Sequence, residues 1–373
     1  MSKVVVLGVA GPQTDFIKLL KEKGHYVVGM SYRKEGVGLP FVDEFREINI
    51  IDKKCILKFV NENDVDVVYS VGSDLAMPSV GYVNDKVGKS GFVSEKIALT
   101  MIDKSMFRKF LAENNIQNIK FKVANTIEDL NDWNCFPAIV KPTDSQGQRG
   151  VNKANNEAEL RAYFDEALKY SKSQTVIVEQ FIDGKEISVN GYMYDGEMVY
   201  GFISDRRVVE EFSGGLVKGH DFPSKASGTE KEEALLLVKK VALRLGYNNG
   251  PIYFQMKYKG GHVYIIEGTP RIDGCHIWRL IKQRYGIDLL SMTTEHLLTG
   301  KIENLHVCKE PVGQRDVLDF FLGKPYSPFE KNKYYKGLDD NGYFEFYYKD
   351  GEMVRPVNGK AEKVGYCLKQ MVL

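Results

Sequence analysis

The chain has 373 residues, 43% of them hydrophobic and 12% aromatic, so it is long enough to bury two or three separate cores. Lys and Arg total 51 against 50 Asp and Glu, and the net charge of +1 gives no electrostatic reason to expect a nucleic acid or an anionic membrane as partner. No apolar run approaches the ~20 residues of a transmembrane helix. The five cysteines show no C-x-x-C pair and no regular spacing, which argues against a zinc site and a disulfide framework. We therefore expect a cytoplasmic protein that acts on small molecules.

The first 90 residues alternate between short apolar strands and amphipathic helices, beginning with a strand at 3–7 and a helix at 13–23. This alternation predicts a parallel sheet in a Rossmann-like α/β domain. The glycines after the first strand lack the G-x-G-x-x-G spacing, and Ser31 and Tyr32 stand where a ribose-binding acid is expected. A nicotinamide oxidoreductase is therefore disfavoured.

Beyond this unit the pattern changes twice. Ser94 is a good N-cap and Lys104 begins another helix, so we interpret 91–119 as a helical linker. From residue 120 strands and helices mix, and from residue 306 the chain is rich in Tyr, Phe and Gly. This composition predicts α+β structure followed by a small β-rich C-terminal region.

Two strand-like runs within 252–266 flank the turn sequence Lys-Gly-Gly-His, which predicts a β-hairpin. Side chains at alternate positions share a face, so Glu267, Thr269 and Arg271 are expected to point the same way. Gln255, on the partner strand, is expected opposite Glu267. Hard oxygen ligands of this kind suit a magnesium ion that also holds a polyphosphate. The hairpin therefore predicts a nucleotide site.

Two earlier segments also carry residue types that suit a nucleotide. Lys141 ends an apolar strand, and the small-residue loop to Gly150 can surround phosphate oxygens with backbone N–H groups, although the P-loop order is missing. A second apolar strand leads through 179–182 to Glu186. The backbone of 179–182 can form hydrogen bonds with an adenine edge, and the Glu186 carboxylate can accept hydrogen bonds from ribose hydroxyls. Each segment by itself is generic, because a lysine at a strand end is more often a solvated charge.

Taken in this order, the segments resemble the ATP-grasp superfamily, in particular the branch that includes carbamoyl phosphate synthetase and biotin carboxylase. The resemblance covers most of the chain, from the first α/β unit through the Ile102-Asp103-Lys104 entry to the hairpin. It implies the following division: a preATP-grasp α/β domain at 1–90, a helical linker at 91–119, a small lid subdomain at 120–190, a large catalytic subdomain at 191–305 and a C-terminal β-rich region at 306–373.

The resemblance also implies roles for individual residues. Those that it places around ATP are Lys104, Lys141, Ser145, Gln146, Gly147, Gln148, Glu179, Gln180, Phe181, Ile182 and Glu186. The two lysines would contact phosphates under a mobile lid at 145–148, while 179–182 would hold the adenine and Glu186 the ribose. The implied ligands of magnesium or manganese are Gln255, Glu267 and Thr269. The implied catalytic residues are Arg271, on the substrate or the transferring phosphoryl group, and Lys218 and His220 in the acceptor pocket.

Two positions depart from this branch. Relatives usually carry Asn where this chain has Thr269, and many carry Glu or Asp where it has Gln255. With Glu267 as the one certain carboxylate, the site would hold its ions less tightly, because fewer ligand charges oppose the cation. Thr269 is equally well explained as a strand-end hydroxyl bonded to backbone.

These implications lead to one expected activity and two alternatives. We expect a ligase in which a substrate carboxylate attacks the γ-phosphate of ATP, giving ADP and an acylphosphate that an amine or another nucleophile consumes. An ATP-grasp carboxylase or kinase stays open, as does a nucleotide-binding protein without turnover. A homodimer is expected only by analogy with relatives.

Overall fold

The structure, a computed structural model, describes residues 1–88, 91–117, 119–145, 149–209, 215–335, 342–356 and 361–372. Its helices and strands follow one another as β1 (Lys3–Leu7), α1 (Gly11–Glu22), β2 (Tyr26–Ser31), β3 (Glu44–Glu47), α2 (Lys53–Glu62), β4 (Val67–Tyr69), α3 (Met77–Val87), α4 (Glu95–Ile102), α5 (Lys104–Glu113), β5 (Phe121–Ala124), β6 (Ala138–Pro142), β7 (Asn152–Ala154), α6 (Glu157–Tyr170), β8 (Val176–Gln180), β9 (Lys185–Tyr194), β10 (Glu197–Val209), β11 (Leu216–Phe222), α7 (Gly228–Leu245), β12 (Gly250–Lys259), β13 (His262–Thr269), α8 (Ile277–Tyr285), α9 (Leu289–Thr299), β14 (Gln314–Gly323), α10 (Asn332–Tyr335), β15 (Phe344–Phe346) and β16 (Glu362–Val372).

The first sheet has the order β3-β2-β1-β4 and is parallel throughout. Its central strand β1 is continuously apolar, and Val4 to Leu7 are buried because helices and loops cover both faces of a parallel sheet. The parallel α/β unit predicted for the beginning of the chain is confirmed. The carboxyl end of β4 leads into a short 3₁₀ helix, Asp74–Ala76, directly before α3.

The second sheet, β5-β8-β6-β7, is small and antiparallel. One face of α6, carrying Leu160, Phe164 and Ala167, packs with Ala138 and Val140 of β6 in a core of its own. The strands β6 and β8 are antiparallel, so Lys141 near the carboxyl end of β6 lies opposite Ile177 near the amino end of β8, two positions before Glu179 on the same face. This sheet therefore holds the lysine and the 179–182 segment side by side.

The third sheet runs β13-β12-β9-β10-β11-β14-β16-β15, with antiparallel neighbours. The strands β9 and β10 form a hairpin around Asp195 and Gly196, and both turn residues have positive φ, 49° and 81°. The predicted hairpin at 252–269 is confirmed as β12–β13. The helix α7 contributes Ala234, Val238 and other buried side chains to the main core.

Two features of this sheet do not coincide with the domain boundaries expected from the sequence. β9 already begins at Lys185, so the change from the small sheet to the large one precedes residue 190. The strands β14, β15 and β16 extend the large sheet from β11, so the C-terminal β structure continues the same layer. The domain division itself stays a prediction. Within the described ranges, no helix is long and apolar enough to cross a membrane.

Candidate functional site

The hairpin β12–β13 brings two candidate metal ligands together. Gln255 lies directly opposite Glu267, as the sequence predicted, and the register shifts immediately after Gln255. Gln255 is buried, whereas the Glu267 side chain is exposed. The Gln255 amide Nε2 donates to Glu186 Oε2 at 3.0 Å, which leaves its Oε1 for a cation. An amide oxygen and an exposed carboxylate therefore face each other across one pair of strands.

The end of the hairpin is bound to a residue of the first α/β unit. Asp74 Oδ1 accepts from the Thr269 hydroxyl at 2.8 Å and from Arg271 Nε at 2.6 Å, and Arg271 Nη2 lies 2.6 Å from the same oxygen. Thr269 and Arg271 are 5% and 7% exposed. The hydroxyl thus bonds a carboxylate and not the backbone, and its role as a metal ligand stays a prediction. Asp74 neutralises Arg271 beside the predicted ion site.

Lys141 is the centre of a buried ion-pair group in the small sheet. Its Nζ lies 2.6 Å from Glu179 Oε2, and Arg108 Nε donates to Glu179 Oε1 at 2.7 Å. Arg108 also donates to the carbonyls of Ile265 and Ile266 at 2.7 and 3.0 Å. Burial alone would raise the pKa of Glu179, but the charges of Arg108 and Lys141 outweigh it and hold the pKa at about 2. The Glu179 side chain is therefore an ionised partner of two cations.

The segment after Glu179 offers backbone groups to a ligand. The N–H groups of Gln180 and Phe181 donate to the carbonyls of Lys120 and Pro137, both at 2.9 Å. Within the described residues, the Ile182 N–H has no such acceptor, whereas the Ile182 carbonyl accepts from Lys257 Nζ at 3.2 Å. An adenine edge would find a free donor at Ile182, and the predicted adenine contact of 179–182 stays a prediction.

Glu186 lies between the hairpin and the neighbouring strand β10. It pairs closely with Arg206 Nη1, and Lys257 Nζ lies 3.7 Å from its second oxygen. Burial opposes the charge of Arg206, but Glu186 outweighs it and raises the pKa of the guanidinium. The carboxylate predicted to bind ribose therefore touches the same Gln255 that is predicted to bind the metal.

Lys104 points toward the predicted lid. Its Nζ donates to the Ser145 carbonyl at 2.7 Å. Burial and the charge of Lys141 lower the pKa of Lys104, while Glu267, Glu179 and Asp74 act in the opposite direction. The charges of Lys141, Glu267, Glu179 and Asp74 therefore all lie close to Lys104. Gln146, Gly147 and Gln148 lie outside the described residues.

Lys218 and His220, which are predicted to contact the acceptor substrate, differ in burial. Lys218 is exposed on β11, whereas His220 is fully buried and its Nδ1 lies 3.2 Å from Ser204 Oγ. Burial and then the charge of Arg206 lower the pKa of His220 well below its usual value, so its imidazole is neutral. Their contact with an acceptor stays a prediction.

Sequence reasoning missed three charged residues of this region: Asp74, Arg108 and Lys257. Asp74 had a usable signal, because it follows the carboxyl end of a parallel strand, where ligand-binding residues gather. Lys257 stands two positions after Gln255 and shares its strand face. Arg108 had no local signal, since its partners lie 71 and 157 positions away.

Comparison with known proteins agrees with this arrangement. Residues 134–278, which include the hairpin and three of the four strands of the small sheet, match the ATP-grasp domain family. The chain is 27% identical over 274 residues to the carbamoyl phosphate synthase large chain of Clostridium perfringens (strain SM101 / Type A), a match that covers 71% of this chain and 24% of that protein. The curated relatives that it matches first are much longer, and it spans between about a quarter and a third of most of them.

Solved structures resemble the whole chain. An L-amino acid ligase from Bacillus licheniformis superposes with a TM-score of 0.81 at 16% identity, covering 100% of this chain and 94% of that one. The biotin carboxylase domain of the Hydrogenobacter thermophilus 2-oxoglutarate carboxylase, solved with MgADP and bicarbonate, has a TM-score of 0.79 at 16% identity, with coverages of 100% and 86%. At these identities the likeness shows the fold.

Proposed function

We propose that the chain, in which residues 134–278 match the ATP-grasp domain family, is an ATP-dependent ligase. It activates a substrate carboxylate as an acylphosphate, releases ADP, and passes the acyl group to an amine or another nucleophile. The proposed ligands are ATP with magnesium or manganese, a small-molecule acid and a small-molecule nucleophile.

The observation that carries the proposal is the pairing of Gln255 with Glu267 beside Lys104. The donor set fits magnesium, because the Gln255 Oε1 and the Glu267 carboxylate are hard oxygen ligands. A magnesium ion bound there would neutralise phosphate charge during phosphoryl transfer. Glu186 positions the Gln255 amide through its hydrogen bond to Nε2.

The lysines supply positive charge for the phosphates. An ammonium group has three donors, and Lys141 uses one of them on Glu179, so two remain for phosphate oxygens. Lys104 reaches the carbonyl of Ser145 at the start of the loop that is proposed to cover the phosphates. Both lysines would orient the γ-phosphate and stabilise its charge as it is transferred.

Arg271 is the proposed carboxylate-binding residue. Its guanidinium donates to Asp74 through Nε, and to the Ile272 carbonyl through Nη1, while Nη2 lies against Asp74. A guanidinium has five N–H donors, so two remain for an incoming acid. Asp74 fixes the orientation of those two donors relative to the hairpin.

The test is the fate of a carboxylate oxygen. The protein is incubated with MgATP and a panel of amino acids, sugar acids and amines, and released ADP is measured. For an acid that is accepted, ¹⁸O in its carboxylate should appear in the released phosphate, because the acylphosphate bridge oxygen leaves with phosphorus. Formation of AMP and pyrophosphate, or phosphate without ¹⁸O, would contradict the proposal.

A second candidate is activation of bicarbonate, favoured by the similarity to a biotin carboxylase domain that was solved with MgADP and bicarbonate. In that case bicarbonate alone would stimulate ADP release. No stimulation by bicarbonate, together with stimulation by an organic acid, would favour the ligase.

A further inference from the structure

A second set of ligand-type side chains shares no member with the proposed magnesium site. His220 belongs to β11, and Asp273 and Cys275 belong to the loop that follows Arg271. One ligand atom from each lies within 4.8 Å of the other two. His220 and Asp273 are 0% and 3% exposed, and Cys275 is half-buried.

Two atoms of this cluster have unmet hydrogen-bonding capacity. His220 Nε2 and Asp273 Oδ2 are buried without a hydrogen-bond partner among the described residues. The other polar atom of each residue is occupied, since His220 Nδ1, protonated when Nε2 offers its lone pair, donates to Ser204 Oγ, and Asp273 Oδ1 accepts from the Cys275 N–H. Buried polar atoms of this kind are uncommon, because leaving water without a new partner is unfavourable.

From this geometry we propose that His220, Asp273 and Cys275 bind a divalent transition-metal ion of the zinc class. Imidazole nitrogen, carboxylate oxygen and thiolate sulfur are the donors that zinc prefers, and three protein ligands leave one position open. In a tetrahedral site with bonds of about 2.0 to 2.3 Å, ligand atoms lie about 3.3 to 3.8 Å apart. Movements of up to about an ångström would therefore close the site.

The burial of the three groups suits this role. A divalent cation would pair with the Asp273 carboxylate and the Cys275 thiolate, which are largely withdrawn from solvent, and His220 Nε2 would supply the third donor. The irregular cysteine spacing argued against a zinc site only for ligands that are close together in the sequence.

One neighbouring cation opposes the ion. The guanidinium of Arg206 is paired with Glu186, and that of Arg207 with Asp221 and Asp319. Lys363 differs, since within the described ranges it has no carboxylate partner and its Nζ donates to Cys275 Sγ at 3.5 Å. Lys363 therefore competes with a metal for the sulfur.

The ion would join two elements that meet near the end of the hairpin that leads to Arg271. It would link β11 to the loop that carries Arg271, and so restrain the position of Arg271. This role places His220 in metal binding in preference to acceptor contact. It does not depend on the proposed ligase activity.

The first experiment uses Co²⁺ as a spectroscopic probe. Full-length protein is stripped with a chelator, loaded with Co²⁺, desalted and analysed for bound metal and for the near-ultraviolet sulfur-to-cobalt absorption. We expect one tightly held Co²⁺ per chain with the thiolate band. Cys275→Ser should lose the band, and Cys308→Ser, at another half-buried thiol, should keep it. Absence of bound cobalt, or a band that survives in Cys275→Ser, would overturn the proposal.

A second pair of variants separates loss of the site from loss of the fold. Lys363→Met removes the competing charge and should bind Co²⁺ roughly tenfold more tightly. His220→Gln should lose tight binding while its circular dichroism spectrum stays unchanged. Equal affinities in the wild type and both variants would contradict the assignment of the ligands.

Discussion

Glu179 and Glu267 both end apolar strands near the proposed nucleotide, yet their surroundings are opposite. Glu179 is 4% exposed and bonded to Arg108 and Lys141, whereas Glu267 is exposed and forms no ion pair among the described residues. A carboxylate that is already neutralised by two cations contributes to structure. A carboxylate without a counter-ion next to Lys104 is available to a metal that arrives with its nucleotide.

The largest expected effect is a loss of stability when the buried Glu179 is substituted. Glu179→Gln leaves the Arg108 and Lys141 charges without an anion, and breaking a buried pair in this way costs about 3 to 5 kcal/mol of unfolding free energy. Urea unfolding followed by circular dichroism measures the difference. Glu113→Gln, at an exposed position on α5, is the matched control and should change stability little. A Glu179→Gln protein as stable as the wild type would mean that the pair contributes nothing.

The same pair should give a characteristic acid response. The pKa of Glu179 is held at about 2 in the folded chain, below its ordinary value of 4.5. Its stabilising contribution is therefore complete above pH 4.5 and is lost as the pH falls toward 2. The stability of the wild type should fall more steeply over this interval than that of Glu179→Gln. Parallel curves would contradict the ionised pair.

Substitution of the exposed Glu267 should lower activity and leave the fold intact. Glu267→Gln keeps the size of the side chain and removes the anionic ligand, and we expect turnover to fall by about 10²- to 10³-fold. ADP formation with an accepted acid measures this loss, and the unfolding curve should match the wild type. Normal turnover would remove Glu267 from the metal site.

An intermediate effect is expected at Asp74, which joins the first unit to the hairpin. Asp74→Asn removes the charge that holds Arg271, and hydrogen bonds to charged groups of this kind are worth about 1.5 to 3 kcal/mol. We expect roughly a tenfold loss in kcat/KM for the acid, with little change in the KM for ATP. An equal effect on both substrates would indicate general damage instead.

Thr269 should show the smallest effect. Thr269→Val keeps the shape and removes one donor to Asp74, which corresponds to about 1 kcal/mol. The concentration of Mg²⁺ that gives half-maximal activity distinguishes the two roles of this residue. An unchanged requirement supports the bond to Asp74, whereas a strongly raised requirement would identify Thr269 as a metal ligand.

Local patterns were sufficient for the parts of the site that lie on one hairpin. The Gln255–Glu267 register followed from alternation and turn sequence, and the parallel first sheet followed from the strand–helix order. Periodicity works there because the contacts are between neighbours in the sequence.

The remaining contacts join distant parts of the chain. Asp74 meets Thr269 and Arg271 across 195 and 197 positions, and no local pattern encodes such a separation. The partner of Glu179 was missed for the same reason, because Arg108 lies on a helix whose sequence shows an ordinary amphipathic face. The cluster of His220 with Asp273 and Cys275 likewise depends on how β11 meets a loop.

The bonds of Arg108 also have a mechanical consequence. One guanidinium holds Glu179 of the small sheet and the carbonyls of Ile265 and Ile266 in the hairpin. The small sheet cannot translate away from the hairpin while these bonds are kept. A movement that preserves them is a rotation about the Arg108 guanidinium. Lys141, which shares Glu179 with Arg108, would then move least.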